Sequence, residues 1–80
     1  MRRKIKRIVD GDTLKTYRKI EDTNYIRIAG MDAPERGQSG YAAAKTKLQK
    51  LKGKVVTLIP KGRSYNRIVA DVRYKRKKIK

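Results

Sequence analysis

The sequence predicts one small domain that is mainly β with a single helix. Short runs rich in β-branched and aromatic residues recur along the chain with cations between them, a pattern typical of strands. Turn residues separate these runs, and only one stretch has apolar residues at the spacing of a helix. With 80 residues, the chain is too short to build a second hydrophobic core.

The predicted elements follow one another with short connections. They are strands at residues 3–10, 13–20, 24–30, 55–59 and 67–74 and a helix at residues 41–51. The helix carries an apolar stripe of Tyr41, Ala44, Leu48 and Leu51. Ser39 is predicted to cap its start and Gly53 to end it. The fourth strand is apolar enough to be buried on both faces, and a turn at residues 60–66 precedes the fifth.

The order of three strands, a helix and two strands predicts a five-stranded barrel of the OB type. Curling five strands into a barrel removes most exposed strand edges, and the helix is expected to plug one end. An open five-stranded sheet with the helix across it is the alternative. We assign residues 1–74 to this domain and residues 75–80 to a basic tail with nothing to pack.

The charge of the chain indicates a polyanionic partner. Lys and Arg number 24 against seven Asp and Glu, which gives a formal net charge of +17. Such a surface attracts polyanions at long range, so DNA or RNA, single-stranded by preference, is the first partner to consider. An anionic membrane or ribosomal RNA comes second, and a thermophile-like surface is disfavoured because acids are so scarce. No apolar run reaches membrane-spanning length and none follows the N-terminus, so we expect a cytoplasmic chain without a membrane role, with secretion of a longer precursor left open.

Four of the seven acids are expected at one end of the hairpin that the second and third predicted strands form. They are Asp10, Asp12, Asp32 and Glu35. A tight hairpin centred on residues 21–23 predicts Asp12 opposite residues 31–33, and opposed carboxylates favour a cation between them. The chain has no Cys and no His, so a hard ion such as calcium, held by oxygen, is the expected metal. Asp12, Asp32 and the carbonyl of Ala33 would form an open shell with room for substrate.

Simpler interpretations exist for parts of this corner. The segment from Asp10 to Asp12 alone fits an Asx-type turn. Arg27, on the third strand, also fits an exposed cation whose stem lies along the sheet.

Three sequence blocks resemble the staphylococcal nuclease (thermonuclease) family. They are VDGDTL at 9–14, IRIAGMDAPE at 26–35 and YNRIVADV at 65–72, in this order and with a helix between the second and third. The resemblance covers about residues 5–74 and implies an OB-fold barrel and calcium-dependent endonuclease activity on DNA and RNA. It also implies a role for each matching residue: calcium ligands Asp12, Asp32 and Ala33, general base Glu35, phosphate-contacting Arg27 and Arg67, and Tyr65 near a terminal phosphate.

The residue types suit phosphodiester hydrolysis. Two guanidiniums and a divalent ion are a clamp for the charge that gathers on phosphate oxygens in the transition state. The second candidate function is a non-catalytic OB-type nucleic-acid binder, or a basic protein of a nucleoprotein particle, that stacks bases on Tyr17, Tyr25, Tyr65 or Tyr74. The type member continues with helices beyond the fifth strand, so an uncovered barrel base predicts a monomer or a weak dimer.

Overall fold

The computed structural model describes residues 1–31, 34 and 36–79. The strands are β1 (Arg2–Asp10), β2 (Thr13–Ile20), β3 (Thr23–Ile28), β4 (Val55–Ser64), β5 (Arg67–Tyr74) and β6 (Lys77–Ile79). The helix α1 (Tyr41–Leu48) continues into a 3₁₀ turn at Gln49–Leu51. Strand positions therefore follow the predicted ones closely, except that β3 ends at Ile28, β4 extends to Ser64 and β6 is additional.

The first five strands form a closed barrel, which confirms the predicted OB-like fold. Strands lie in the order β3-β2-β1-β4-β5 with antiparallel pairing throughout. A parallel pairing of β3 with β5, centred on Arg27 opposite Val69, joins the two ends. The alternative of an open sheet is therefore wrong. Closure leaves β3 and β5 without long free edges and brings the start of β5 beside the end of β3.

The core fills the barrel interior with alternating residues from the strands. Its fully buried members include Ile5, Leu14, Ile26, Ile28, Val56, Leu58 and Val72. Leu48 and Leu51 add the apolar side of the helix and the 3₁₀ turn to the same cluster. Each such side chain contributes about 1.5–3 kcal/mol when it leaves water. The prediction that β4 is buried on both faces is wrong, because Val55 and Ile59 are 43% and 38% exposed on its outer side.

The register of the β2–β3 hairpin differs from the prediction. Ile20 pairs with Thr23 at the tip, but further along Thr13 pairs with Arg27 because β2 carries additional residues between the two positions. Thr16 stabilises this bulge: it is fully buried, its hydroxyl donates to the Arg18 carbonyl at 2.7 Å, and its carbonyl accepts from Asn24 Nδ2 at 3.1 Å. The backbone carbonyl of Asp12 consequently accepts from the Ile28 N–H at 2.8 Å, so Asp12 lies opposite Ile28 and not opposite Met31. The other two predicted partners, residues 32 and 33, lie outside the described residues.

The helix does not use the predicted Ser39 cap. Its N-cap is Gly40, which has a φ of 88° and makes no side-chain capping bond. The predicted end at Gly53 is close to what is found, since Gly53 follows the 3₁₀ turn with a φ of 79° that suits glycine. The Gly53 N–H donates to the Ile5 carbonyl at 2.8 Å and so fixes the end of the helical segment to β1.

The C-terminal segment is not a free tail, which corrects the prediction for residues 77–79. These residues form β6, which pairs with β5 through Val72 opposite Ile79. Because β3 pairs with β5 only at residues 68–70, the end of β5 has a free edge that β6 occupies. Ile79 is partly buried against the core, so an apolar residue near the end of a basic segment anchors it.

Candidate functional site

A cavity of about 390 Å³ lies where the ends of three strands meet the start of α1. The residues that line it are Asp10, Asp12, Arg27, Pro34, Arg36, Tyr41 and Arg67. Three guanidiniums and two carboxylates therefore face one space. We call this space the acid–arginine cavity.

Asp12 is held at the cavity by its backbone and by its side chain. It lies in the two-residue turn between β1 and β2, where Asp10 pairs with Thr13. Its Oδ1 accepts a hydrogen bond from the Thr13 hydroxyl at 2.9 Å, and its Oδ2 lies 3.5 Å from Arg27 Nε. The Asp12 side chain is 19% exposed and that of Arg27 is 34% exposed, so the ion pair is partly screened by water. These contacts mainly fix the orientation of both groups.

Thr13 connects the two predicted phosphate-contacting arginines. It is paired with Arg27 across β2 and β3, and its Oγ1 accepts a hydrogen bond from Arg67 Nη1 at 3.3 Å. The same hydroxyl donates its proton to Asp12, so both of its hydrogen-bonding functions are used. Thr13 is only 2% exposed. The parallel pairing of β3 with β5 is what brings Arg67 within reach of β2.

Tyr41 and Arg36 form the opposite wall. The Tyr41 hydroxyl donates to Asp10 Oδ1 at 2.8 Å, which joins the start of α1 to the end of β1. The pKa of Arg36 is raised above its usual value, first by the Tyr41 hydroxyl and then by the charge of Asp10. Sequence reasoning placed Tyr41 only in the apolar stripe of the helix. Its direct contact with an acid of the predicted corner was missed.

The predicted site residues fall into three groups. Asp12, Arg27 and Arg67 come together in the acid–arginine cavity. Tyr65 does not, because it lies in the β4–β5 turn with 92% of its surface exposed. Asp32, Ala33 and Glu35 lie outside the described residues, although Pro34 between them lines the cavity.

The described residues alone do not form a metal site. Within residues 1–31, 34 and 36–79, no group of three His, Cys, Asp or Glu side chains could hold a metal ion. Asp10 and Asp12 supply only oxygen donors, the type that a hard cation such as calcium prefers, so the donors fit calcium in kind. Two of the three predicted ligands, Asp32 and Ala33, belong to the residues that are not described.

Arg36 lines the cavity and Thr13 lies buried behind it, and the sequence did not reveal the role of either residue. Thr13 follows Asp12 directly and begins a strand, which predicts a hydroxyl near the acid but not its contact with Arg67. The position of Arg67 depends on the β3–β5 pairing, and no local pattern encodes a pairing between strands that a helix separates.

Comparison with known proteins adds no assignment to this geometry. Neither the protein-family models nor the curated proteins yield a match to this chain. In the part of the chain that the structure describes, no helix is long and apolar enough to cross a membrane.

Proposed function

We propose that this chain is a calcium-dependent endonuclease that hydrolyses phosphodiester bonds in DNA and RNA, preferentially in single strands. The observation that carries the proposal is that Asp12, Arg27 and Arg67 line one cavity, with the buried Thr13 hydroxyl bonded to both Asp12 and Arg67. Two guanidiniums from different strands reach the same space, and each is held by a neighbouring oxygen. The resemblance of the sequence to the thermonuclease family supports the same three charged residues.

Arg27 and Arg67 act on the phosphate in this proposal. A planar guanidinium matches two phosphate oxygens at once, which an ammonium group does not. Because Thr13 and Asp12 already orient these side chains, little reorganisation is needed when charge gathers on the non-bridging oxygens. Arg36 adds a third positive charge at the cavity and favours entry of an anionic substrate.

Asp12, Asp32 and the Ala33 carbonyl would hold the calcium ion, and Glu35 would act on water. Bound calcium would supply Lewis-acid stabilisation of a phosphoryl oxygen. Glu35 would accept a proton from the attacking water while the water oxygen bonds to phosphorus. The bond from phosphorus to the leaving oxygen breaks, and the leaving oxygen takes up a proton from solvent. A carboxylate is the expected base, since the chain contains no His.

The test is cleavage of single-stranded DNA and of RNA with added calcium or with a chelator. We expect cleavage with calcium, none with the chelator, and a loss on the order of 10²–10⁴-fold in a Glu35→Gln variant. Asp22→Asn is the matched control, because Asp22 is an exposed turn acid paired with Arg63 and lies outside the cavity. Cleavage that persists with chelator, or that survives the Glu35 change, would contradict the proposal.

A specific observation favours the second function, non-catalytic binding of nucleic acid. Tyr17 is 57% exposed on β2, and the ammonium groups of Lys4 and Lys6 lie 5.7 and 5.9 Å from its ring centre. An exposed ring with two cations beside it can stack a base while the lysines contact phosphates. A salt-sensitive gel shift with intact DNA, lost in Tyr17→Ala, would identify the binder. Calcium-dependent cleavage would identify the enzyme.

A further inference from the structure

A second groove, of about 470 Å³, lies on the outer face of the barrel and is lined by cations. Its lining residues are Arg2, Val55, Thr57, Arg73, Tyr74, Lys75 and Arg76. We call it the basic groove. It shares no lining residue with the acid–arginine cavity, and its own lining includes no acid.

The strand register builds one side of the basic groove. Arg2 pairs with Thr57 on β4, and Thr57 pairs with Arg73 on β5. Directly opposed residues share a face of the sheet, so two cations flank a hydroxyl in one row. Two strand spacings, roughly 10 Å, separate the backbones of these cations. The backbone of this row belongs to the barrel, so the spacing of the two cations along the row is fixed by the strand register.

The β5–β6 turn contributes the other side of the basic groove in an unusual conformation. Tyr74 pairs with Lys77, which leaves Lys75 and Arg76 as a two-residue loop. Their φ values are 51° and 67°. Positive φ at both positions is the mark of a type I′ turn, for which Asn-Gly is strongly preferred. Here Lys75 and Arg76 adopt a backbone conformation that is sterically unfavourable for residues with a side chain. Such strain is typical of positions that have a functional role.

The described acids are engaged elsewhere. Asp10 and Asp12 line the acid–arginine cavity, while Arg63 pairs with the exposed acids of the β2–β3 turn. Asp71 lies between Lys61 and Lys78 at 3.4 and 3.5 Å.

The four cations of the basic groove therefore make no ion pair with any residue in the described part of the chain. Lys75 makes a cation–π contact instead, with its ammonium 5.5 Å from the ring centre of Tyr74. Like charges held close together repel one another, and a bound polyanion removes this repulsion.

We propose that the basic groove binds the phosphate backbone of a nucleic-acid strand as a contact separate from the acid–arginine cavity. Cations around a concave surface suit a chain of phosphates that releases counterions on binding. A membrane surface is disfavoured, since interfacial binding needs large apolar residues and Val55 is the exposed apolar side chain of this groove. The inference goes beyond the proposed catalysis and stands or falls independently of it.

The decisive variant combines Lys75→Asn with Arg76→Gly. It removes two cations and gives the type I′ turn its preferred residues, so we expect the melting temperature to be unchanged or raised. Binding of a fluorescent single-stranded oligonucleotide is measured by anisotropy with EDTA present, over a range of salt concentrations. We expect affinity to fall on the order of tenfold at ~0.1 M salt, and the slope of log K against log salt to shrink by about 1.4.

The matched control combines Lys47→Gln with Lys50→Gln, two exposed lysines of the helical segment, and removes the same charge. It separates groove binding from a general effect of net charge. Equal affinity and equal salt slope in the two double variants would overturn the proposal. So would a groove variant that loses binding to phosphatidylserine vesicles while it retains the oligonucleotide.

Hydrolysis of bis(p-nitrophenyl) phosphate with calcium is followed in parallel, because this small diester is too short to span both regions. The groove variant should hydrolyse it at the wild-type rate if the proposed catalysis holds. Absence of hydrolysis in every protein would reject the catalysis alone and would leave the binding result to decide on the basic groove.

Discussion

The acid–arginine cavity and the basic groove both present arginines, but the arginines differ in whether other residues of the chain hold them in place. In the cavity, Arg27 lies 3.5 Å from Asp12 and Arg67 donates to Thr13 at 3.3 Å, so intramolecular partners orient both guanidiniums. In the basic groove, Arg2 and Arg73 have no acid partner among the described residues. Oriented arginines suit the recognition of one phosphate in one geometry. Unpaired arginines suit the retention of a charged chain in many registers.

The difference arises from where each region lies in the barrel. The cavity forms at strand ends, where a turn, a parallel closure and the start of α1 place polar groups from several elements together. One side of the basic groove forms on a continuous sheet face, where neighbouring strands each contribute one outward-facing residue to the same row. Catalysis needs polar groups at fixed distances, which the cavity provides. Binding of a phosphate backbone needs only a row of cations, which the sheet face provides.

Among the changes that compare the two regions, the largest effect is expected from Arg67→Lys. This change keeps the positive charge and removes the planar fork, so we expect cleavage to fall on the order of 10²–10³-fold, about 3–4 kcal/mol of barrier. Single-turnover cleavage of single-stranded DNA with calcium is the measurement. Arg73→Lys is the matched change in the basic groove and should leave the cleavage step nearly intact. Equal losses in both variants would show that the two regions do not differ as described.

A smaller effect is expected from Thr13→Val, which removes the hydroxyl between Arg67 and Asp12. Thr13 touches the two charged residues rather than the substrate, so it is a positioning residue. Its loss leaves Arg67 without a fixed partner and should cost on the order of tenfold in kcat, with about 1–2 kcal/mol of unfolding free energy. KM should change less than kcat if orientation is what Thr13 supplies.

Thr13→Ser and Thr57→Val complete this test. The serine variant restores the hydroxyl and should recover most of the rate. Thr57→Val makes the same chemical change in the row of the basic groove and should not alter cleavage. If the serine variant stays as slow as the valine variant, the hydroxyl is not what positions Arg67.

Much of the barrel was predictable because its signals are local. Strand positions follow from β-branched runs such as residues 13–20, and the order of elements indicates closure. The β2 bulge was not predictable, since it depends on Thr16 being buried and bonded to Asn24 rather than on any turn residue. A shift in register of this kind places Asp12 opposite Ile28, which is why the predicted position opposite Met31 is wrong.

Three of the residues that line the cavity were predictable, but the contacts between them were not. Asp12, Arg27 and Arg67 were expected together, yet the contact that joins them passes through Thr13, a residue with no distinctive sequence signal. Residues 77–79 illustrate a different limit. Their cationic composition suggested a solvated tail, whereas one apolar side chain, Ile79, and a free edge of β5 are sufficient to form β6.

The smallest effect concerns Asp71, which lies on β5 between Arg67 of the cavity and Arg73 of the basic groove. Burial alone would raise the pKa of Asp71, but Lys61 and Lys78 outweigh it and hold this pKa below the ordinary value of 3.8. A carboxyl whose pKa is lower in the folded state stabilises the fold above its unfolded pKa. That contribution is lost as the pH falls through the folded pKa.

We therefore expect the wild type to unfold at a higher temperature than Asp71→Asn near pH 7. The difference between the two unfolding temperatures should disappear as the pH falls below about 3.8. Thermal unfolding followed by circular dichroism from about pH 7 to about pH 3 measures it. In a background with Lys61→Gln and Lys78→Gln, burial acts alone, so the pKa of Asp71 should rise and Asp71→Asn should then stabilise the fold at neutral pH. Two results would contradict this account. One is a difference in unfolding temperature that is constant from about pH 7 to about pH 3. The other is a difference that keeps its sign when Lys61 and Lys78 are replaced. Either would show that these two ammonium groups do not lower the pKa of Asp71.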